Sequence, residues 1–291
     1  MSLGRRAIEA VIHAGRRLFR NTPIQQLPIV TRIYRALFDR LHPPGTDLVV
    51  HYLGAEFVVP TGDVTVVPSL IAGDYERAEF EALDRRLHPG MTVVDVGANI
   101  GLHSVFFATR IIPGGRVLAL EPEPANFGYL EANVQRNGLT NVEMFMMGAG
   151  ARGGALRLHL VPGTVGGHTA AEIDSGSSID VEVVRLDDLL RDRVTRVDLM
   201  KVDVEGYEGQ VLDGFRETLA RDRPTLLIEF SPQLLRRCGT RPEDLLATLQ
   251  SIYPEILLFD DAGRPPDRVD ARVAQSLLAA TAGSRNLLCI R

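Results

Sequence analysis

Asp95, Asn99 and Glu121 fall at the ends of two apolar runs, and Asp203, Glu205 and Glu229 fall at the ends of two more. Carboxylates at strand tips accept hydrogen bonds from hydroxyl and ammonium donors, and a buried one can take a proton. Buried acids are costly without partners, so packing alone explains such a set poorly. Asp95 lies in Thr92-Val-Val-Asp-Val96, followed by Gly97-Ala-Asn-Ile-Gly101 and then Leu102 to Ala108. The valines suit a strand covered on both faces, and Val105, Phe106 and Ala108 suit a helix. This strand–turn–helix predicts a ligand at the carboxyl end of the strand, with Gly97 and Gly101 bending the backbone close to it. Glu121, followed by Pro122, ends the next strand 24 residues after Gly97. There it can accept from both hydroxyls of a ribose. The Gly-x-Gly-x-x-Gly pattern that admits a pyrophosphate is missing. A cofactor with a ribose and no phosphates fits better, and S-adenosylmethionine is the common one. Asp95 suits its ammonium group. Asp95, Gly97, Asn99, Gly101, Glu121 and Pro122 are therefore the expected cofactor-binding residues.

Three blocks carry a likeness to a known family. They are Asp95-Val-Gly-Ala-Asn-Ile-Gly101; Glu121-Pro-Glu-Pro-Ala-Asn126 with Leu130, Asn133 and Asn137-Gly138; and Lys201-Val-Asp-Val-Glu-Gly-Tyr-Glu208 with Val211-Leu-Asp-Gly214. Leu226-Leu-Ile-Glu229 is a weaker fourth. Together they resemble the FkbM-type family of S-adenosylmethionine-dependent methyltransferases over residues 92 to 230. The resemblance implies a class I methyltransferase sheet with an antiparallel last strand. It also implies a hydroxyl acceptor on a sugar, glycolipid or polyketide-like natural product. One departure stands out: Met147-Gly-Ala-Gly-Ala-Arg152 offers no acid where many methyltransferases bind the adenine amine.

The third block is where acceptor chemistry is expected. In a persisting strand, Lys201, Asp203 and Glu205 project to one side. A sugar or alkyl hydroxyl is a poor nucleophile until it loses its proton. Asp203 or Glu205 can take that proton if burial raises its pKa, and Asp203 is the first choice, with Glu205 and His168 as its rivals. Lys201 reads as a countercharge. Glu205-Gly206 also reads as an acidic cap for the following helix. Glu229 is expected in the same cleft. A magnesium ion shared by Asp203 and Glu229 is the alternative; the preferred reading has no metal. His168, inside the Gly-rich segment 161–178, is a fourth candidate catalytic residue. That segment reads as a lid loop. His103 reads as packing or as a neighbour of the cofactor carboxylate.

The reading of function is an O-methyltransferase for a carbohydrate or glycolipid hydroxyl. A polyketide or other small-molecule acceptor, an N-acceptor included, is the alternative. A scaffold that binds cofactor without turnover is the non-enzyme alternative. A dehydrogenase lacks its phosphate glycines.

The 291 residues allow one large core, with a formal net charge of −5. Residues 1–40 hold eight arginines against Glu9 and Asp39. The rest of the chain is acidic, which argues against a nucleic-acid substrate. Ile8, Val11, Ile12, Leu18 and Phe19 share one side of a helix in this arm. It can lie on an anionic membrane surface, or dock on the body or on a second copy of the chain as a homo-oligomer. No apolar run approaches the ~18 residues of a membrane span. Arg16-Arg17 interrupt what a signal peptide would need to keep apolar. Cys238 and Cys289 make no metal spacing or disulfide framework, so a reduced cytoplasm is the expected location, with membrane association open.

These residues need a scaffold of alternating strands and helices. The expected parts are a basic helical arm (1–45), an N-terminal hairpin and helix (46–91) and a methyltransferase domain (92–291). Leu48 to Pro60 reads as the hairpin and Tyr75 to Leu87 as the helix. Strands are expected at 92–96, 116–121, 142–147, 197–204, 225–230, 256–259 and 286–290, with helices at 125–137, 208–215 and 242–252. Residues 156–160 and 179–184 read as an inserted antiparallel pair. The fold class is α/β: a class I, Rossmann-like doubly wound sheet with a small β insertion.

Overall fold

A computed structural model describes residues 45–63, 66–172, 177–260, 265–281 and 283–291. The arm at 1–45, with its helix and its membrane and dimer readings, lies outside them except for Gly45.

One compact unit contains the described residues up to Tyr75, with Gly163–Val165. Its hairpin pairs β1 (Asp47–Tyr52) with β2 (Ala55–Pro60) in antiparallel register, Val50 opposite Phe57. Along β2 the side chains alternate between buried and half-buried, the period-2 pattern of a strand with one covered face. A short helix α1 (Val67–Ala72) follows, which the sequence pattern does not announce. Asp63 holds its start: Oδ1 accepts the Val66 and Val67 amides at 2.7 and 2.8 Å. Oδ2 of Asp63 accepts the Val165 amide at 2.8 Å.

The second unit contains Glu76–Pro162 and Gly166–Arg291. The helix expected with the hairpin, α2 (Arg77–Asp84), therefore belongs to the body. The reason is aromatic packing: Phe80 stacks on His103 at 4.4 Å and meets the Phe106 ring edge-on at 4.8 Å.

The body is built on β3 (Thr92–Val96), β4 (Arg116–Leu120) and β5 (Val142–Phe145), joined by α3 (Leu102–Arg110) and α4 (Pro124–Arg136). A three-stranded insertion follows, from β6 (Gly148–Ala149), β7 (Gly154–His159) and β8 (Ser178–Val184). The expected antiparallel pair is β7 with β8, and β6 adds to it in parallel. Then come α5 (Leu186–Leu190), β9 (Leu199–Val202), α6 (Glu208–Asp213), α7 (Arg216–Asp222), β10 (Thr225–Phe230), α8 (Pro232–Arg237) and α9 (Pro242–Ile252). The chain ends with β11 (Glu255–Leu258), β12 (Asp267–Arg268), α10 (Ala271–Leu278) and β13 (Arg285–Ile290).

The main sheet has the order β12-β11-β13-β10-β9-β3-β4-β5. The five strands β10-β9-β3-β4-β5 are parallel, and β13 runs antiparallel between β10 and β11. This is the class I, Rossmann-like methyltransferase order expected from the sequence. The order reverses at β3, whose neighbours are β4 on one side and β9 on the other. Ligands sit at such a switch point, beyond the carboxyl ends of the strands.

The sheet is covered on both faces. Val93, Val94 and Val96, Leu118 and Leu120, and Met200 and Val202 all have 0–1 % exposure. Each such side chain contributes about 1.5–3 kcal/mol on burial. Truncating Leu118 to Ala would cost about 2–5 kcal/mol, with a cavity between the central strands.

Candidate active site

The tips of β3, β4 and β9 converge, because these strands are neighbours running the same way. In the ladder Asp95 lies beside Lys201 of β9 and Ala119 of β4. The Asp95 side chain has 0 % exposure. Its Oδ2 accepts the Ser104 hydroxyl at 2.6 Å. Its Oδ1 has no hydrogen-bond donor and lies 3.7 Å from the Lys201 ammonium. Burial pushes the Asp95 pKa up, while Lys201 and Ser104 pull it back. Asp95 is thus an internal charge, acting outward through Lys201 and the first turn of α3.

Lys201 Nζ donates to the Gly97 carbonyl at 3.1 Å and lies 3.2 Å from Oδ2 of Asp203. Burial works against its charge, but Asp203, Asp95 and Glu76 outweigh it and hold its pKa above the usual lysine range. The expected countercharge is therefore a tie between two strand tips.

Gly97 and Gly101 have φ of +75° and +87°. A Cβ on Gly97 would come 1.8 Å from the Asp203 carbonyl oxygen, and one on Gly101 2.8 Å from Cδ1 of Leu130. The close approach read from the sequence is an approach to the chain itself. Asn99, between them, has φ of 52°. Its side-chain oxygen accepts the Ile100 amide at 2.7 Å, and its own amide donates to Oε2 of Glu121 at 2.8 Å. Oε1 of Glu121 accepts the Glu123 amide at 3.0 Å. Glu121 thus clasps the glycine turn. A carboxylate offers about four lone-pair positions, so about two remain for ligand hydroxyls. Burial raises its pKa to about 7 against the pull of both amides. Half-buried Pro122 leads to Glu123, which caps α4 by accepting the Asn126 amide at 2.7 Å.

At the β9 tip the strand stops at Val202, so the alternation expected through Glu205 ends there. The chain turns instead, with Glu205 at φ of 51°. Glu205 still joins Asp203 and Glu229: one carboxylate oxygen from each lies within 4.8 Å of the others. The Glu205 carboxylate accepts the Gly167 amide, and its carbonyl accepts the Thr169 hydroxyl at 2.7 Å. Burial and the charge of Asp203 raise its pKa to about 7. Glu229 bonds Ser284, while its Oε2 is buried without a donor. Burial, then the charges of Asp203, Glu205 and Glu208, push its pKa well above the carboxylate range.

Among the described residues no side chain caps the start of α6; Glu208, its first residue, holds the preceding turn instead. Its Oε1 accepts the Val204 and Gly206 amides at 3.2 and 3.1 Å, pinning the turn on either side of Glu205. It is fully buried, and burial raises its pKa to about 8.

The described part of segment 161–178 folds back on this turn through Gly167 and Thr169, and Arg237 bonds the Glu172 carbonyl. His168 does not join the carboxylates. Its Nδ1 accepts the Val161 amide at 3.1 Å, and burial lowers its pKa. In that neutral tautomer Nε2 carries the proton, so no ring nitrogen is left to accept another. His103, in the first turn of α3, is buried, and burial drives its pKa well down.

Glu76, Ser104 and Glu208 were not singled out as site residues from the sequence. Glu208 stands in the third motif, but its hold on the Glu205 turn appears only in three dimensions. Glu76 precedes α2, with φ of 41° and no motif around it. Its Oε2 lies 3.5 Å from Nε2 of His103.

The sheet order and the acids at the β3, β4 and β9 tips define a class I methyltransferase fold with a site at its switch point. Residues 95–255 match the methyltransferase FkbM domain, and the chain belongs to that family. A curated relative, the 31-O-demethyl-FK506 methyltransferase FkbM of Streptomyces tacrolimicus, is 34% identical over 164 residues, 45% of this chain and 62% of its own. The hexuronic acid methyltransferase AglP of Haloferax volcanii is 29% identical over 126 residues, 43% of this chain and 50% of its own. This chain thus spans between half and two-thirds of the length of these relatives. A solved methyltransferase FkbM from Methylobacillus flagellatus KT superposes with a TM-score of 0.43 at 18% identity, over 78% of this chain and 55% of that one. Among the described residues no helix is long and apolar enough to cross a membrane.

Proposed function

We propose that the chain is an S-adenosylmethionine-dependent O-methyltransferase acting on a hydroxyl of a sugar, glycolipid or related natural product. The observation that carries this reading is the pairing of two kinds of site at one sheet edge. A clasped glycine turn with a Glu at the next strand tip lies beside a carboxylate cluster whose Glu205 titrates near neutrality.

The residues fit the cofactor. Glu121 retains lone pairs for ribose hydroxyls, and the site around Lys201 carries more carboxylates than ammonium groups. Glu121 with Asn99, Gly97, Gly101 and Pro122 forms the cofactor side, and Asp95 supports it from beneath. When bound, S-adenosylmethionine supplies an electrophilic methyl group on a sulfonium.

On the acceptor side, Glu205 accepts the hydroxyl proton as the oxygen becomes the nucleophile, and later releases it to water. A base with a pKa near the working pH holds the right protonation state while still drawing the proton. Asp203 is held by Lys201 and raises Glu205 by its charge. Glu229, buried on one oxygen, orients the acceptor by hydrogen bonding. The three carboxylates also have the spacing for a divalent cation. We read them as base and positioning groups, because Asp203 already faces Lys201 and Glu205 already holds the Gly167 amide.

The relatives named above support hydroxyl and carbohydrate acceptors, and they equally support a polyketide-like one. A panel of hydroxylated sugars, glycolipids and macrolides, assayed with methyl-labelled cofactor, separates these acceptors. Label on an amine would favour an N-acceptor. Cofactor binding with no labelled product on any acceptor would favour the inactive scaffold.

A further inference from the structure

The acceptor side proposed above holds more negative charge than Lys201 answers. One carboxylate oxygen each from Asp203, Glu205 and Glu229 lies within 4.8 Å of the others. Asp203 and Glu205 follow β9, and Glu229 is the next-to-last residue of β10, the neighbouring strand. Glu208, fully buried at the start of α6, adds its charge behind them. The Lys201 ammonium answers Asp203 at 3.2 Å, and it serves the sealed Asp95 as well. The charges that weigh most on Glu229 are those of Asp203, Glu205 and Glu208, all negative.

Two oxygens of this group are sealed from solvent, Oε2 of Glu229 and Oε2 of Glu208. Among the described residues neither has a hydrogen-bond donor. A buried carboxylate without a partner is costly, and the cluster by itself can lower that cost only by holding protons. Ser284 serves Glu229 and the Gly167 amide serves Glu205, but neither brings a positive charge. The Asp203 side chain keeps 31% of its surface exposed, so the cluster can be reached from that side. Three points no more than 4.8 Å apart have a centre within about 2.8 Å of each. That matches a hydrogen bond from an ammonium group to a carboxylate, about 2.7–2.9 Å long. Glu205 must keep an oxygen for the hydroxyl proton. An ammonium between Asp203 and Glu229, with the hydroxyl on the adjacent carbon facing Glu205, gives each of the three carboxylates a partner.

We propose that the acceptor carries a protonated amine on the carbon next to the methylated hydroxyl, as an amino sugar does, and that Glu229 and Asp203 anchor this ammonium while Glu205 takes the hydroxyl proton. The inference rests on the O-methyltransferase reading and names its substrate class. The hydroxyl oxygen forms the new bond to the methyl carbon as the methyl–sulfur bond breaks, and that bond's electron pair stays on sulfur. The hydroxyl proton goes to Glu205, and the ammonium is unchanged. A uronate or a sugar phosphate would bring another anion into the cluster and is disfavoured.

Isothermal titration of the full chain, saturated with S-adenosylhomocysteine, tests this with four glycosides: methyl glucosaminide, its N-acetyl derivative, methyl glucoside and methyl glucuronide. The glucosaminide should bind roughly 10- to 100-fold more tightly than the glucoside, the scale of a hydrogen bond to a charged group. N-acetylation removes the charge and should remove that advantage, and the glucuronide should bind most weakly. Binding of the glucosaminide should also release protons, as the cation displaces those held by Glu229 and Glu205. The measured heat should then differ between buffers of different ionisation enthalpy. Glu229→Gln should cut the ratio of glucosaminide to glucoside affinity to below about threefold, whatever it does to either alone. Should that variant unfold, the N-acetyl derivative and the proton release decide the matter on the parent protein. Equal binding of glucosaminide and glucoside, or tightest binding of the glucuronide, would overturn the inference. So would methyl label on the nitrogen in a turnover assay, which would make the amine the acceptor. The O-methyltransferase reading would outlast the first two outcomes, since labelled product on a neutral hydroxyl would still support it. No binding of any of the four would remove the amino-sugar class. A chain that did not bind S-adenosylhomocysteine would fail the reading beneath the inference, and the inference with it.

Discussion

The Lys201 ammonium lies 3.2 Å from Oδ2 of Asp203, and it acts on Glu205 only weakly, behind burial, the Asp203 charge and the Gly167 amide. That difference ranks the two acids. Either can serve as the proton acceptor by its place in the motif, but Asp203 is already committed to an ion pair. Glu205, raised to about 7 by burial and by Asp203's charge, is the better one.

Glu205→Gln should therefore lower turnover by ~10²–10⁴-fold, the range for a positioned general base. Cofactor affinity should change little. His168→Ala should keep near-normal turnover, since its Nδ1 is committed to Val161. Steady-state rates of the two variants on one labelled acceptor decide between them. An inactive His168 variant beside an active Glu205 variant would move the base to the loop.

The pH–rate profile carries a sharper form of the same claim. At saturating cofactor, turnover should rise with pH through about 7, as Glu205 loses its proton. Asp203→Asn removes the like charge that raises Glu205. Its acid limb should shift to lower pH, even where its maximum rate falls. A limb that stays in place would mean that Asp203 and Glu205 do not share the site as described.

Exhaustive chelation should leave most of the activity, because Lys201 and the Gly167 amide already serve two of the three carboxylates. The check is turnover in a strong chelator before and after adding Mg²⁺. Abolition with recovery would instead assign Asp203, Glu205 and Glu229 to a metal ion.

The buried acids also predict how stability responds to pH. Glu121, Glu205 and Glu208 have folded pKa values of about 7, 7 and 8, above the ordinary 4.5. Between about pH 6.5 and 8 the folded chain therefore holds more protons than the unfolded one, and stability falls as pH rises. His103 and His168 act in the opposite sense only below about 6.5, where the unfolded chain takes up their protons. Thermal unfolding of the cofactor-free protein should thus show a higher midpoint at pH 6.5 than at 8.5. A flat or rising midpoint across that window would show that these carboxylates are not buried as described.

The parallel strands were legible because both faces are covered, which writes near-continuous valine and leucine runs into β3, β4, β9 and β10. The helices α1, α5, α7, α8 and α10 were not, being only five to eight residues long. Helices that short carry too few turns for a 3.6-residue period to show, and α2 and α6, no longer than these, were read from the Pro-Gly stop and the motif beside them. At the site, motif spacing singled out Glu121, Asp203, Glu205 and Glu229. It could not say that Asp95 would be sealed under Lys201, or that Glu208 would hold the turn around Glu205. Those outcomes depend on which strand lies next to which, and on a turn at Glu205 and Gly206, beyond the end of β9. Glu76 lies outside every motif and outside residues 95–255, so only the packing of α2 on His103 brings it forward.

The central claim is that the clasped turn at the β3 and β4 tips binds S-adenosylmethionine. Calorimetric titration of the parent protein and of Glu121→Ala tests it most directly, without knowledge of the acceptor. The parent should bind one equivalent. The variant should bind about 1.5–3 kcal/mol more weakly, the scale for a hydrogen bond involving a charged group. 5′-Deoxy-5′-methylthioadenosine, which lacks the amino acid, should lose affinity alongside S-adenosylmethionine, since both carry the ribose. An unfolding scan of the variant alone separates this loss from loosening of the Asn99 turn, whose amide Glu121 also holds. No binding by the parent, or equal binding by a folded variant, would contradict the account.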